Sequence, residues 1–462
     1  MTTVIETCRI PPPRGVAAKL FLPLSFLDMS WLHSSPMYIL NFYNHPCSEA
    51  EFSNSIVPNL KHSLSLTLKH YLPIAANLLY PLDTDTSKPV IRYTSGDTVA
   101  LTIADSSLDF DELVANHAKE SDQFYDLLQP PAPLTEEENY QIAPLISLQA
   151  TLFPNRGICI VMNFHHSLCD GRSIVGFLKA WAMINKSAGD AVFVSKNGES
   201  LPFFEKPVSE DSRRVDGMFW NAMKKIPFKT VVSHPRPTNR VRASFILRQS
   251  DIIKLKHRFL SAKPNLVRVS DFVVATAYFW TTLVKSHGSA GDENEVFVFP
   301  ADVRGSRNAL FDPPVPLHYF GNCLGGGVVS VEHRKLAAED GFVVAAEAIG
   351  DVIKAQIYDG DEFLKSPENQ LSKMSKPERV FGVLVAYGSP KFDFKDADFG
   401  WGEARKVEVL SLDDEKYGML LGNSDDGGLI IGMSLPNDMM ESFASTFKDG
   451  LVGGKVYGKS RM

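Results

Sequence analysis

Apolar residues alternate between a helical and a strand period along the whole chain. Leu60, Leu64, Leu68 and Leu72 recur every four residues, a helical stripe that stops near Pro73. Ile158–Phe164 (ICIVMNF) is a short run of strand formers after the turn residues Pro154-Asn155-Arg156-Gly157. A polar stretch follows, His165-His166-Ser167-Leu168-Cys169-Asp170-Gly171, and then Ile174, Phe177, Leu178 and Trp181 mark one face of a helix. The predicted order there is strand, polar loop, helix. From Ser187 to about Arg240 the pattern weakens into Gly, Ser, Pro and charge, with a helix expected around Trp220. A strand in RASFILR and a helix from Asp251 open a second half. It ends with strands at Lys406–Leu412 and Gly427–Leu435, a helix from Asn437 and a glycine-containing tail from Val452.

This alternation predicts an α/β protein of two similar halves, residues 1–190 and 241–462, joined by a crossover connection at 191–240. A length of 462 residues exceeds one ordinary core. The composition, 44% hydrophobic and 22% charged, is that of a globular protein. With a net charge of −7 and no strongly basic stretch, a nucleic-acid partner is not expected. The longest apolar runs are too short for a bilayer, and Glu6, Arg9 and Pro11-Pro12-Pro13 interrupt any leader-like stretch, so no membrane partner is expected either. Five scattered cysteines form no CxxC pair, which argues against a disulfide framework and a zinc site and predicts a cytoplasmic protein without metal.

The chemistry concentrates in His166-x-x-x-Asp170. A histidine at the end of a buried strand is held rigidly, and its near-neutral pKa suits proton transfer. Acyl transfer from a thioester to an alcohol needs such a base, because the hydroxyl is a poor nucleophile until its proton leaves. The departing thiol, with a pKa near that of free cysteine, about 8.5, takes the proton back without a second acid. No covalent enzyme intermediate is required. Cys169 occupies a position of the motif that needs no particular residue, so it is not read as a nucleophile, and His165 is read as structural.

Two further segments carry a resemblance. Asp398-Phe399-Gly400-Trp401-Gly402 resembles the DFGWG motif of the plant BAHD acyltransferases, and Tyr319-Phe320-Gly321-Asn322-Cys323 resembles the YFGNC motif of the branch acting on anthocyanin and flavonoid glucosides. Val4–Cys8, Leu22–Trp31, Asn59–Ser65, Asp302-Val303-Arg304 and Pro313–Pro316 fit the same family. The resemblance implies two chloramphenicol-acetyltransferase-like domains, mixed sheets flanked by helices, with a channel between them and His166 midway along it. It implies acyl-CoA as co-substrate with no permanently bound cofactor, a phenolic glycoside as acceptor, and a monomer.

His166 and Asp398 are the implied catalytic residues, although Asp398 is equally open to a role in the architecture of its loop. Asp170 stands where a triad carboxylate would orient the imidazole, but the resemblance implies that it turns away, with Gly171, to pair with an arginine, best Arg304. Phe399 and Trp401 read as core anchors, and Gly400 and Gly402 as residues of a tight turn. Ser389, Trp401 and the amides after His166 are the candidate oxyanion donors. Tyr319 is a candidate channel residue. Arg172 is a candidate partner for a malonyl carboxylate, while Phe164 is a candidate wall for an aromatic acyl group. Malonyl transfer is the expected reaction, with hydroxycinnamoyl transfer as the alternative. A peptide-synthetase condensation domain also carries HHxxxDG but predicts a carrier-protein partner. A non-catalytic binding protein would not need an intact His166 and Asp170.

Overall fold

The computed structural model describes residues 1–130, 133–206, 210–228, 238–286, 292–305, 313–355, 380–391 and 393–452. The tail expected after Val452 and parts of the 191–240 connection lie outside the described residues.

Three sheets form. The first has six strands in the order Thr2–Ile10, Val99–Ser106, Ile146–Phe153, Gly157–Phe164, Met37–Tyr43 and Lys406–Val409. Ile146–Phe153 and Gly157–Phe164 make a hairpin whose turn places Asn155 at φ 59°, a left-handed conformation that asparagine tolerates. Alternate side chains of this sheet feed two cores. Ile39, Leu148, Ile158, Ile160 and Met162 face the helices Val57–His70 and Gly171–Lys186, while Leu40, Phe42, Cys159 and Val161 face Phe110 and Phe124. Leu60, Leu64 and Leu68 are fully buried against the second of these helices. Leu72 belongs to a separate short turn, Leu72–Ala75, because the helix ends at His70. Trp181, also fully buried, donates its indole N–H to Leu60 O and Ser63 Oγ. Truncating such a residue to alanine costs about 3–5 kcal/mol.

The second sheet has seven strands, ordered Leu324–Glu332, Asn294–Asp302, Val380–Gly388, Tyr417–Asn423, Leu429–Pro436, Arg240–Leu247 and Lys119–Glu120. The helices Gln249–Ala262, Asp271–Ser286, Gly341–Ile353 and Asn437–Val452 share its core. A third sheet of five strands lies wholly within the first half, running from Lys19–Pro23 to Thr135–Glu137. The mixed-sheet, helix-flanked, two-part α/β fold expected from the sequence is therefore present.

Each half lends the other a strand. Lys406–Val409, from the second half, pairs with Met37–Tyr43, and Lys119–Glu120, from the first, pairs with Arg240–Leu247. The strand expected over Lys406–Leu412 is shorter than its apolar run, since Leu410–Asp414 turns into a short 3₁₀ segment. Arg242 fixes that turn from below. At 1% exposure its guanidinium bonds Glu408 and Asp413, each at 3.0 Å, and the carbonyls of Val409 and Leu410. A buried charge placed so is costly to disturb, because its two carboxylate partners are themselves buried and would lose their shortest ion pair. Among the described residues no helix is long and apolar enough to cross a membrane.

Candidate active site

The strand Gly157–Phe164 ends two residues before His166, and the helix Gly171–Lys186 begins five residues after it. Between them the loop is pinned by Asp170. Its Oδ1 accepts the Ser173 amide at 3.0 Å, capping the helix, and its Oδ2 accepts the Cys323 amide at 2.9 Å. The same Oδ2 lies 2.8 Å from Arg304 Nη2, with both side chains fully buried. Arg304 also bonds Asp302 Oδ1 at 2.8 Å and the carbonyls of Tyr319 and Gly321 at 3.1 and 2.9 Å. Asp170 thus spends its carboxylate on the helix start, on Arg304 and on the 319–323 segment. Gly321 has φ 147°, and a Cβ there would run into the Tyr319 ring, so glycine is required for this close approach.

His166 is 8% exposed. Its imidazole stacks on Trp31, ring centroids 3.8 Å apart at 19°, and Phe164 lies tilted 6.1 Å away. Asn322 donates to the His166 carbonyl at 2.9 Å and to Asp28 Oδ1 at 3.2 Å. Burial pushes the His166 pKa down, while Asp170, the residue's own carbonyl, Asn322 and Asp28 each pull it back up without cancelling the shift. An imidazole that resists protonation is available as a base at neutral pH. His165 faces away, with Nδ1 2.6 Å from Ser167 Oγ, and burial holds its pKa down to about 4. Burial pushes the Cys169 thiol well above its usual range and that of Cys323 up to about 12, so neither is poised as a thiolate nucleophile.

Other residues singled out from the sequence lie elsewhere. Asp398 bonds Lys186, the last residue of the Gly171–Lys186 helix, at 2.5 Å. A 16-residue helix is about 24 Å long, so Asp398 stands at the end opposite the His166 loop. Its partners are Lys186 and the amides of its own turn, so the structure places it apart from His166. Its Oδ1 accepts the amides of Gly400 and Gly402 at 2.7 and 2.8 Å, closing a turn in which both glycines have positive φ, 98° and 86°. The Lys186 bond and the two amides outweigh burial and hold the Asp398 carboxyl below the usual range.

Phe399 is buried against Trp181, and Trp401 stacks on Phe399 and His45 and meets Tyr43 edge-on. Tyr43 pairs with Ile158, whereas Phe164, near His166, pairs with Met37. Six residues of strand separate the two levels, about 20 Å. Trp401 therefore packs at the far end of the strand from His166. Ser389 follows the strand Val380–Gly388 and accepts the Lys391 amide. Arg172, 40% exposed, bonds Asp302 Oδ2 at 2.9 Å. Tyr319 is buried, under Arg304 and Lys206. Metal-holding clusters of His, Cys, Asp and Glu are absent among the described residues.

The arrangement is a strand-end imidazole at the junction of two halves, with a buried ion pair behind its loop and neighbouring thiols that burial keeps protonated. Residues 1–449 match the model of a family described as Transferase family. The chain belongs to the BAHD acyltransferases. This BAHD chain is an acyl-CoA-dependent O-acyltransferase. It is 49% identical over 459 residues to a malonyl-coenzyme:anthocyanin 5-O-glucoside-6'''-O-malonyltransferase of Salvia splendens, covering 98% of this chain and 96% of the relative. It is 33% identical over 465 residues to a coumaroyl-CoA:anthocyanidin 3-O-glucoside-6''-O-coumaroyltransferase of Arabidopsis thaliana, with 97% of each covered. Among solved structures, vinorine synthase matches with a TM-score of 0.68 at 17% identity over 98% of both chains, which supports the fold alone.

Sequence reasoning passed over Trp31, which stacks on His166; Asp28, which reaches it through Asn322; and Lys206, which pairs with Asp28. Trp31 and Asp28 lie in the Leu22–Trp31 segment, which fits the family but carries no role of its own in the sequence.

Proposed function

We propose that this BAHD acyltransferase transfers a malonyl group from malonyl-CoA to a sugar hydroxyl of an anthocyanin or flavonoid glucoside, with His166 as general base. The observation that carries the acyl choice is the 49% identity, over nearly the whole chain, to a malonyltransferase of this acceptor class. The base assignment is supported by the lowered pKa of His166 and by the commitment of Asp170 to Arg304. His166 takes the proton of the acceptor hydroxyl as its oxygen attacks the thioester carbonyl. A tetrahedral intermediate forms, collapses with loss of the CoA thiolate, and the imidazolium returns the proton to that sulfur. Donor and acceptor are both present before transfer. Asp398 serves the turn that docks on Lys186, not the chemistry. Acyl-CoA is consumed as a co-substrate, no resident cofactor takes part, and the protein acts as a cytoplasmic monomer.

A malonyl carboxylate taken out of water needs a cation. Arg172 supplies one at the start of the Gly171–Lys186 helix, where Asp302 already aligns its guanidinium and leaves other N–H donors for a substrate. The hydroxycinnamoyl alternative draws support from the coumaroyltransferase relative, at lower identity. Comparing kcat/KM for malonyl-CoA and p-coumaroyl-CoA with one anthocyanidin glucoside tests the choice. Malonyl-CoA is expected to win by at least about tenfold, 1.4 kcal/mol in transition-state binding. An equal preference for the aromatic donor would reverse the donor assignment.

A further inference from the structure

With Asp170 facing Arg304, the group that orients the catalytic imidazole must be sought elsewhere. Two buried atoms point to one. His166 Nδ1 and Asn322 Oδ1 are both sealed from solvent and lack a hydrogen-bond partner of ordinary geometry. The two residues are nevertheless brought together by the hydrogen bond from Asn322 Nδ2 to the His166 carbonyl at 2.9 Å, and the Asn322 amide pulls the ring pKa up. Asn322 itself is fully buried.

The amide cannot be turned round. Its Nδ2 donates to the His166 carbonyl and to Asp28 Oδ1, at 2.9 and 3.2 Å. A carbonyl only accepts, and Asp28 is already surrounded by donors: the Ser25 amide at 2.9 Å, Ser25 Oγ at 2.7 Å and Lys206 Nζ at 3.2 Å. Flipping Asn322 would set its oxygen against two acceptors and its nitrogen toward the ring. In the orientation present, Oδ1 is left for the imidazole. By covalent geometry Nδ1 is also the ring nitrogen nearest the residue's own carbonyl, which likewise favours a protonated ring. Both neighbours of Nδ1 are thus acceptors, and an N–H belongs there.

We infer that Asn322, held by Asp28, is a positioning residue that fixes His166 in its Nδ1–H tautomer and so leaves Nε2 as the base. The arrangement Asp28–Asn322–His166 fills the place of a triad carboxylate, with a neutral amide as the group next to the ring. This has a physical consequence. A carboxylate there would raise the imidazole pKa strongly, whereas an amide orients the ring while burial still keeps it unprotonated. The charged and titratable groups around His166 are His165 beside it, Asp170 and Arg304 behind its loop, and Asp28 and Lys206 on the Trp31 side. The inference rests on the proposed role of His166, but its test reads the ring directly.

The experiment is nitrogen-15 NMR of the histidine rings in the whole protein at pH 8, with His166 assigned by its loss in His166→Ala. The expected signal is a protonated Nδ1 and an unprotonated Nε2. Asn322→Leu, close in size, is expected to move His166 toward the Nε2–H form and lower kcat by at least about tenfold. KM for the acyl-CoA should stay within about threefold, and the acid limb of kcat/KM should move to lower pH, because a bond that raises the His166 pKa is lost. Asp28→Asn, which frees the amide to turn, should shift the ring signals in the same direction by less. An unprotonated Nδ1 in the unmodified protein overturns the inference, whatever the variants do. So does a fall in kcat in Asn322→Leu with the ring signals unmoved, which marks a packing role. Full turnover in His166→Ala would sink the base assignment instead, with the tautomer signal unaffected.

Discussion

Replacing Asp170 by asparagine separates an architectural carboxylate from a catalytic one. Both Asp170 and Arg304 side chains are completely buried at 2.8 Å, and breaking such a pair typically costs about 3–5 kcal/mol. Two features decide where in that range the variant falls. Asparagine caps a helix as well as aspartate, so the Ser173 amide keeps its acceptor. Arg304 also retains Asp302 at 2.8 Å. Against this, the new NH₂ group replaces Oδ2, which accepts both Arg304 and the Cys323 amide, and so sets donors against a donor. We expect a loss of about 3 kcal/mol. At roughly 2–4 °C per kcal/mol that lowers Tm by about 6–12 °C. Activity should fall with it, because the 319–323 segment carries Asn322 against His166. Differential scanning fluorimetry and initial rates on the same preparation provide the readout. Abolished turnover with Tm unchanged would refute the reasoning and put Asp170 in the chemistry.

Asp398→Asn should behave differently: its Lys186 partner is 57% exposed, so the lost ion pair costs no more than about 1 kcal/mol, and the Gly400 and Gly402 amides keep an acceptor. Tm should change by less than about 4 °C and kcat by less than about threefold, and a hundredfold loss of kcat would return Asp398 to the catalytic group. Stability should also depend on pH through His165, whose folded-state pKa is held at about 4 against an unfolded value near 6.5. The unfolded chain binds the extra proton, so stability is unaffected above about pH 6.5 and falls by about 3 kcal/mol toward pH 4, and His165→Gln should flatten that part of the Tm profile.

Much of this was legible in the sequence because local signals agreed with the fold. The run Ile158–Phe164, the polar loop and the stripe Ile174–Trp181 became strand, loop and helix almost residue for residue. Arg304 reached Asp170 across 134 positions, and that pairing was visible only through family resemblance, since nothing local links the two. The strand at Lys406 was readable as a strand but not as a member of the first sheet, because strand exchange is set by tertiary pairing rather than by period. The distance of Asp398 from His166 was equally hidden, for it follows from which end of the helix Gly171–Lys186 the loop meets. Asp28 makes with Ser25 the bonds of a capping box. Only packing reveals that it also holds Asn322.

The central claim is that a single imidazole, His166, activates the acceptor hydroxyl. Turnover of His166→Ala with malonyl-CoA and an anthocyanidin glucoside, measured as CoA release on protein whose Tm and circular dichroism match the parent, tests it most directly. The account predicts a loss of at least about a hundredfold in kcat, and a folded variant that keeps near-parental turnover would contradict it.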